Sequence, residues 1–168
     1  PDRSVKEDVN TGDRAGVRAA LRFAPSDRLT ITPRFFYQKV ELDGWNRIDD
    51  FNILANPYTT TRPPVSLGER QLFTQIDEPF SDEFVLGDLT LSYRFGDVTL
   101  TSITSFTHRD VLVVRDAGAL TSSITGGSIG LPESIYTLDS PLDDATTAQA
   151  FTEEVRLAGG NDTIDWVG

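Results

Sequence analysis

The sequence predicts an all-β fold, an antiparallel transmembrane β-barrel segment of about six strands with short periplasmic turns and long extracellular loops. Three observations predict this fold. Stretches of alternating apolar and polar residues recur along the chain, as expected where successive strand side chains point to opposite faces. Very short turns alternate with very long polar loops, which is the layout of outer-membrane barrels. Aromatic residues cluster near the short turns, at Phe23, Tyr93, Phe95 and Trp166, and so predict an aromatic girdle.

The first hairpin is predicted from two alternating stretches, Ala15–Ala24 and Leu29–Val40, joined by the turn Pro25-Ser26-Asp27. In the second stretch one face is apolar and the other is mostly polar, with Phe36 as the exception. The apolar residues are Leu29, Ile31, Pro33, Phe35 and Tyr37, and the polar ones are Thr30, Thr32, Arg34 and Gln38. The first stretch alternates more weakly, with Val17, Ala19, Leu21 and Phe23 opposite Arg18, Ala20 and Arg22.

The second hairpin is predicted from Phe84–Phe95 and Val98–Val114, joined by Gly96-Asp97. Its first strand places Leu89, Leu91, Tyr93 and Phe95 opposite Asp88, Thr90, Ser92 and Arg94. The faces of Val98–Val114 stay unassigned, because neither face of its first half is clearly apolar. Its last residues, from Val111 on, are apolar on both sides. A β-bulge and a strand that extends above the bilayer both account for this pattern.

The third hairpin is predicted from Ala148–Ala158 and Ile164–Val167, with a turn at Gly159-Gly160-Asn161-Asp162. A helix is the alternative for the first of these segments, because four of its apolar residues also recur at helical spacing. The turn favours the hairpin. As a strand, the segment places Glu153 on the lipid side, which is costly unless that position lies near the membrane interface. The apolar residues on that side are Phe151, Val155 and Leu157.

Composition excludes several classes of protein. The net charge is −11 and there is no basic cluster, so binding to nucleic acid through its phosphates is not expected. The chain has no Cys, which excludes a disulfide and a thiolate metal site. It has no Met, even at position 1, and ends within a strand-like pattern. We therefore expect residues 1–168 to be part of the β-barrel domain of a longer protein.

Ligand binding is predicted for the first long loop, at Asp43, Trp45, Asn46 and Arg47. An aromatic face beside amide, carboxylate and guanidinium groups can hold a sugar or a chelate. The alternative is that the loop packs around Trp45 with its own side chains. Further candidates in the same loop are Asn52, Asn56, Tyr58 and Arg62.

The polar residues outside the first long loop form no pattern that predicts catalysis. The only histidine, His108, is expected to be a polar residue of the barrel wall, and no metal ligands, cofactor or enzymatic activity are predicted. The glycine-rich segment Gly126–Gly130 is expected to be a loop, since no lysine follows it. Five charged residues are predicted to face the barrel lumen, namely Arg18, Arg22, Arg34, Asp88 and Arg94.

Three segments resemble a particular family. Arg18–Leu29 resembles a strand and periplasmic turn of TonB-dependent receptors. So does Leu91–Asp97 leading into Leu100–Phe106, and so does Thr152–Leu157 leading into Trp166–Gly168. The resemblance covers nearly the whole chain and is strongest to the large receptor families of proteobacteria such as sphingomonads. It rests on the ordered series of segments rather than on a single motif.

The resemblance implies a barrel of roughly 22 strands with a plugged lumen. It implies a Gram-negative outer membrane and active uptake of a ferric siderophore, a cobalamin or a glycan. Energy would come from the TonB complex, which the receptor would contact through an N-terminal part. These residues show neither that part nor the plug. The alternatives are a soluble carbohydrate-binding β-sandwich, which would show the same alternation, and a passive porin. A third alternative, less favoured than these two, is an extracellular enzyme with a β fold.

Overall fold

A computed structural model shows an all-β protein with six antiparallel strands in one sheet that is not closed. The structure describes residues 5–47, 68–118, 130, 132 and 138–168. Each strand pairs with its neighbours along the chain, in the order β1-β2-β3-β4-β5-β6. The strands are β1 Gly12–Ala20, β2 Leu29–Leu42, β3 Phe80–Phe95, β4 Val98–Asp116, β5 Pro141–Gly160 and β6 Asp165–Val167. The described residues include no helix long and apolar enough to cross a membrane.

All six predicted strands are present, but several predicted ends are wrong. β1 ends at Ala20 rather than Ala24. Beyond it, Leu21 donates a backbone hydrogen bond of 3.1 Å to the Pro33 carbonyl, and Phe23 and Ile31 form an isolated bridge with hydrogen bonds of 2.9 and 2.8 Å. β5 begins at Pro141, seven residues before the predicted Ala148. The segment from Ala148 to Ala158 is a strand, which excludes the helix.

The faces of β4 are settled by its contacts with the neighbouring strands. Ser102 and Thr104 both donate hydrogen bonds to Glu153, so these three residues share one face. Arg109 pairs with Asp82 on the other face, with its Nη2 2.7 Å from Oδ2. β4 is one strand from Val98 to Asp116, two residues longer than predicted.

Each short turn is fixed by a local polar contact or by a glycine. Ser26 Oγ accepts hydrogen bonds from the backbone of Arg28 and Leu29, at 3.3 and 3.2 Å. Gly96 has a φ of +67°, the conformation that a two-residue hairpin turn requires at its first central position. Asn161 Oδ1 accepts hydrogen bonds from the backbone of Thr163 and Ile164, at 2.9 and 3.0 Å. These contacts explain why Ser, Gly and Asn occupy the turns.

The chain divides into two compact units. One, the loop unit, comprises Pro1–Asp13, Val40–Ser81 and Val111–Ala145. The other, the sheet unit, comprises Arg14–Lys39, Asp82–Asp110 and Thr146–Gly168.

The sheet unit has two chemically different faces. Its apolar face leaves large side chains exposed, including Leu21 at 65%, Phe23 at 56% and Phe151 at 69%. Tyr93 and Phe95 stack on each other there, with ring centroids 6.1 Å apart. Other exposed side chains of this face are Val17, Phe35, Leu89, Leu91, Phe106, Val155, Leu157 and Trp166. The opposite, polar face carries Arg14, Arg18, Arg34, Gln38, Asp82, Asp88, Arg109, Thr152, Glu154 and Arg156.

Candidate functional site

In the loop unit, the segment Asp43–Arg47 is fastened to the residues just before β1. The Asp43 backbone N–H donates to the Thr11 carbonyl at 2.8 Å, and the Thr11 hydroxyl donates to Asp43 Oδ2 at 2.6 Å. Gly44 is buried, and a Cβ at this position would lie 2.4 Å from the Val9 carbonyl oxygen. A glycine is therefore required for the close approach of the two backbones.

Trp45 packs on residues from β3 and β4. Its ring meets Phe80 edge to face, with centroids 5.4 Å apart and planes at 67°. Its Nε1 donates a hydrogen bond of 3.1 Å to the Val114 carbonyl. The guanidinium carbon of Arg115 lies 5.6 Å from the ring centroid, within the range of a cation–π contact. Trp45 is therefore anchored to Phe80 at the start of β3 and to the end of β4.

Arg47 is held by a buried carboxylate. Its Nη2 lies 3.0 Å from Glu78 Oε2, and Glu78 is only 4% exposed. The other oxygen of Glu78 accepts a hydrogen bond of 2.7 Å from the Asp116 backbone. Asp116 in turn accepts hydrogen bonds from the backbones of Gln75 and Gly118. Glu78 thus joins the loop to the end of β4, with its charge compensated as burial demands.

The four predicted ligand-binding residues come together in the loop unit, and each makes contacts within it. Asn46 is exposed and accepts a hydrogen bond of 3.2 Å from Asn10 Nδ2. Within the described part of the chain, Arg47 Nε is buried without a hydrogen-bond partner. Ligand contact by these residues stays a prediction. The other predicted candidates, Asn52, Asn56, Tyr58 and Arg62, lie outside the described residues, and so do residues 126–129 of the predicted glycine-rich loop.

Beside Asp43 the loop unit contains a cleft of about 460 Å³ that sequence reasoning missed. Three carboxylate residues line it, Asp13, Glu41 and Asp43, together with Phe80 and Leu112. Apolar and acidic residues alternate from Val40 to Asp43, and this pattern was the sequence signal for the two acidic side chains of the cleft that follow β2's apolar stretch. Among the described residues no group of three or more metal-ligating side chains is arranged to hold a metal ion.

In the sheet unit, the residues predicted to face a lumen lie mainly on the polar face. Arg34 Nε lies 2.7 Å from Asp88 Oδ1. Arg94 donates to the Asp27 carbonyl at 3.2 Å, and Arg18 lines a groove of the same face. Arg22 is exposed beyond the end of β1. The ion pairs Arg109–Asp82 and Arg156–Glu154 complete this face, and sequence reasoning did not identify them.

The apolar face of the sheet unit contains a polar network on β4 and β5. Glu153 accepts a hydrogen bond of 2.8 Å from the Ser102 hydroxyl and a second one from the Thr104 hydroxyl. Phe151 and Val155 flank it along β5 and are strongly exposed. The prediction that Glu153 shares a face with these apolar residues is confirmed.

His108 lies on the same face, in a second and separate set of hydrogen bonds between β4 and β5. Its Nε2 lies 2.9 Å from Asp110 Oδ2, and its Nδ1 lies 3.2 Å from Gln149 Nε2. The Thr147 hydroxyl donates to Asp110 Oδ1 at 2.7 Å. His108 is thus a polar residue of β4, and both of its ring nitrogens make hydrogen-bond contacts.

The comparisons with known proteins identify no relative. No protein-family model, no curated protein and no solved structure matches this chain.

Proposed function

We propose that this chain is part of the barrel wall of a TonB-dependent receptor in the outer membrane of a Gram-negative bacterium. The receptor takes up a scarce ligand, a ferric siderophore, a cobalamin or a glycan, with energy from the TonB complex. The proposal rests on the resemblance of its strand and turn segments to that family. It is not an enzyme in this proposal.

The observation that carries the membrane part of the proposal is the exposed apolar face of the sheet unit. Leu21, Phe23, Phe35 and Phe151 are all exposed there, with further aliphatic and aromatic neighbours on the same face. Large contiguous apolar surfaces are rare on soluble monomers and mark contact with lipid or a partner. The described residues form one sheet, whereas a sandwich would cover this face with a second sheet.

The opposite face supports the assignment to a barrel interior. It carries the ion pairs Arg34–Asp88 and Arg109–Asp82, and barrels of this class have a polar inner face. A passive porin shares this arrangement. The resemblance to receptors, not the geometry, favours active uptake over passive diffusion.

The first experiment tests sidedness in the Cys-free background. The turn at Asp97 joins two strands directly and would lie on the periplasmic side, whereas Glu69 is an exposed residue of a long connection and would lie on the cell surface. Glu69→Cys in the full-length protein should react with a membrane-impermeant maleimide on intact cells. Asp97→Cys should react only after the outer membrane is permeabilised. The reverse labelling contradicts the proposed topology.

The second experiment tests ligand contact at Trp45. Trp45→Ala should weaken binding by about 1–3 kcal/mol if the ring stacks on the ligand, and the barrel should still assemble. The probes are labelled cobalamin, a ferric hydroxamate and a maltooligosaccharide, added to cells that express the receptor. Phe95→Ala, which removes an exposed aromatic ring from the sheet unit, is the matched control and should bind normally.

Limited proteolysis of the same variants separates binding from loop anchoring. Trp45→Phe keeps a ring beside Phe80 but loses the hydrogen bond to Val114. Unchanged binding by Trp45→Ala together with new cleavage near residue 45 would remove Trp45 from the ligand site. Its role would then be to anchor the loop to β3 and β4.

A further inference from the structure

The arginines on the polar face of the sheet unit are of two kinds. Arg34, Arg109 and Arg156 each pair with a carboxylate, that of Asp88, Asp82 and Glu154 respectively. The charges of these three arginines are therefore compensated on the face itself.

The arginines of β1 on the same face differ. Arg14 Nε donates a hydrogen bond of 3.0 Å to the Gln38 side-chain oxygen, and Nη2 donates to the same atom. An amide oxygen carries no net charge, so the charge of Arg14 stays uncompensated. In the described part of the chain no hydrogen bond or ion pair engages the Arg18 guanidinium. Two positive charges without a carboxylate partner thus lie on one face of β1, in a chain whose net charge is −11.

These two arginines flank a groove of about 340 Å³ that is also lined by Gly16, Phe36 and Gln38. Along an extended strand, positions four residues apart are separated by about 13 Å, and the side chain between them would be that of residue 16. Because this residue is glycine, the space between the two guanidinium groups stays open. A Cβ at Gly16 would lie 2.9 Å from the Tyr37 carbonyl oxygen.

We propose that this groove binds a small molecule with two or more oxyanion groups, carboxylates or phosphates. Guanidinium groups recognise both by paired, charge-assisted hydrogen bonds. Arg14 and Arg18 supply the charge from either end, the Gln38 amide supplies a neutral polar contact, and the Phe36 ring supplies apolar surface. The inference rests on the proposed function only for the route by which the anion reaches this face, which would be the barrel lumen.

Citrate is the probe, and the full-length protein in a zwitterionic detergent is titrated by calorimetry at low ionic strength. Wild-type protein should bind citrate, and glucose, which is neutral, should give no signal. Arg14→Gln and Arg18→Gln should each weaken citrate affinity by about tenfold, the usual effect of losing a hydrogen bond to a charged group. Arg156→Gln removes the same charge from the same face and should change affinity by less than about twofold.

Arg18→Lys provides the second test, since it keeps the charge and should retain part of the affinity that Arg18→Gln loses. Absence of citrate binding by the wild-type protein overturns the inference, and so does an equal loss in Arg18→Gln and Arg156→Gln. These results are independent of the labelling at positions 69 and 97. Reversed labelling with Arg18-dependent citrate binding refutes the receptor proposal alone, whereas correct labelling without citrate binding refutes the groove alone.

Discussion

Over β1–β3 the apolar face of the sheet unit is mostly aliphatic and aromatic, whereas over β4–β5 the same face contains hydrogen-bonded polar side chains. Leu21, Phe35 and Leu91 represent the first region and are exposed. Ser102, Thr104 and Glu153 lie in the second, joined by hydrogen bonds. Two regions of one face, built with the same alternation, thus have different chemistry.

The difference shows what alternation determines and what it leaves open. A period of two fixes which side chains share a face, but it does not fix the solvent that the face meets. In the first region, Leu29–Tyr37 of β2 and Leu89–Phe95 of β3 place only aliphatic and aromatic residues on this face, and its charged residues, Lys39 and Glu83, lie farther along the two strands. In the second region each polar group has a partner on the neighbouring strand, which lowers the cost of placing it among apolar residues.

The largest expected effect is a charge placed in the first region. In the proposed barrel, Leu91→Arg should destabilise the full-length protein by about 2–4 kcal/mol if this position lies near the bilayer midplane. Thr90→Arg, one residue away on the polar face, should be tolerated. Urea unfolding after refolding into lipid vesicles measures both. Equal tolerance at the two positions would refute lipid contact over β1–β3.

A smaller effect is expected where a charge already interrupts the second region. In the proposed barrel Glu153 would face lipid, so Glu153→Leu should raise stability in vesicles by about 1 kcal/mol because it removes a carboxylate from that surface. Glu154→Leu is the matched control on the polar face and should give no gain, since it removes the partner of Arg156. A loss of stability in Glu153→Leu would show that this part of the face meets something other than lipid.

The smallest expected effect is the loss of one hydrogen bond in the second region, from Ser102 to Glu153. Ser102→Ala should cost about 0.5–1.5 kcal/mol in the wild-type background. The same substitution should cost less in Glu153→Leu, because the carboxylate that accepts its hydrogen bond is gone. The double-mutant cycle, measured by the same unfolding assay, isolates this coupling. Additive effects would mean that the contact between Ser102 and Glu153 contributes nothing to stability.

The sequence was sufficient for the number of strands and for most of their faces. Alternation within β2 and β3 is strong, and the confirmed positions of Arg34 and Asp88 on one face follow from it. The strand ends were predicted less well. Pro141 and the acidic residues after it have the composition of a loop, yet backbone pairing extends β5 over them, because a partner strand outweighs weak local propensity.

The contacts of the candidate site could not be predicted from the sequence. Trp45 and Val114 are 69 positions apart, and Glu78 joins Arg47 to the backbone of Asp116. Periodicity describes neighbours along a strand and contains no information about which distant strand end a loop contacts. Glu78 is a buried carboxylate in a polar stretch of sequence. Nothing in its local sequence distinguishes it from an acidic residue that is exposed to solvent.

The strand order has a consequence for how the chain acquires its structure. Because every strand pairs only with its neighbours along the chain, each of the three hairpins with a short connection can form from contacts that are close in sequence. Such local contacts form faster than distant ones. The pairings of β2 with β3 and of β4 with β5 must first close long connections, although each doubling of loop length adds only about 0.6 kcal/mol. We therefore expect hairpins β1–β2, β3–β4 and β5–β6 to be the kinetic units, and their joining to be the slower step.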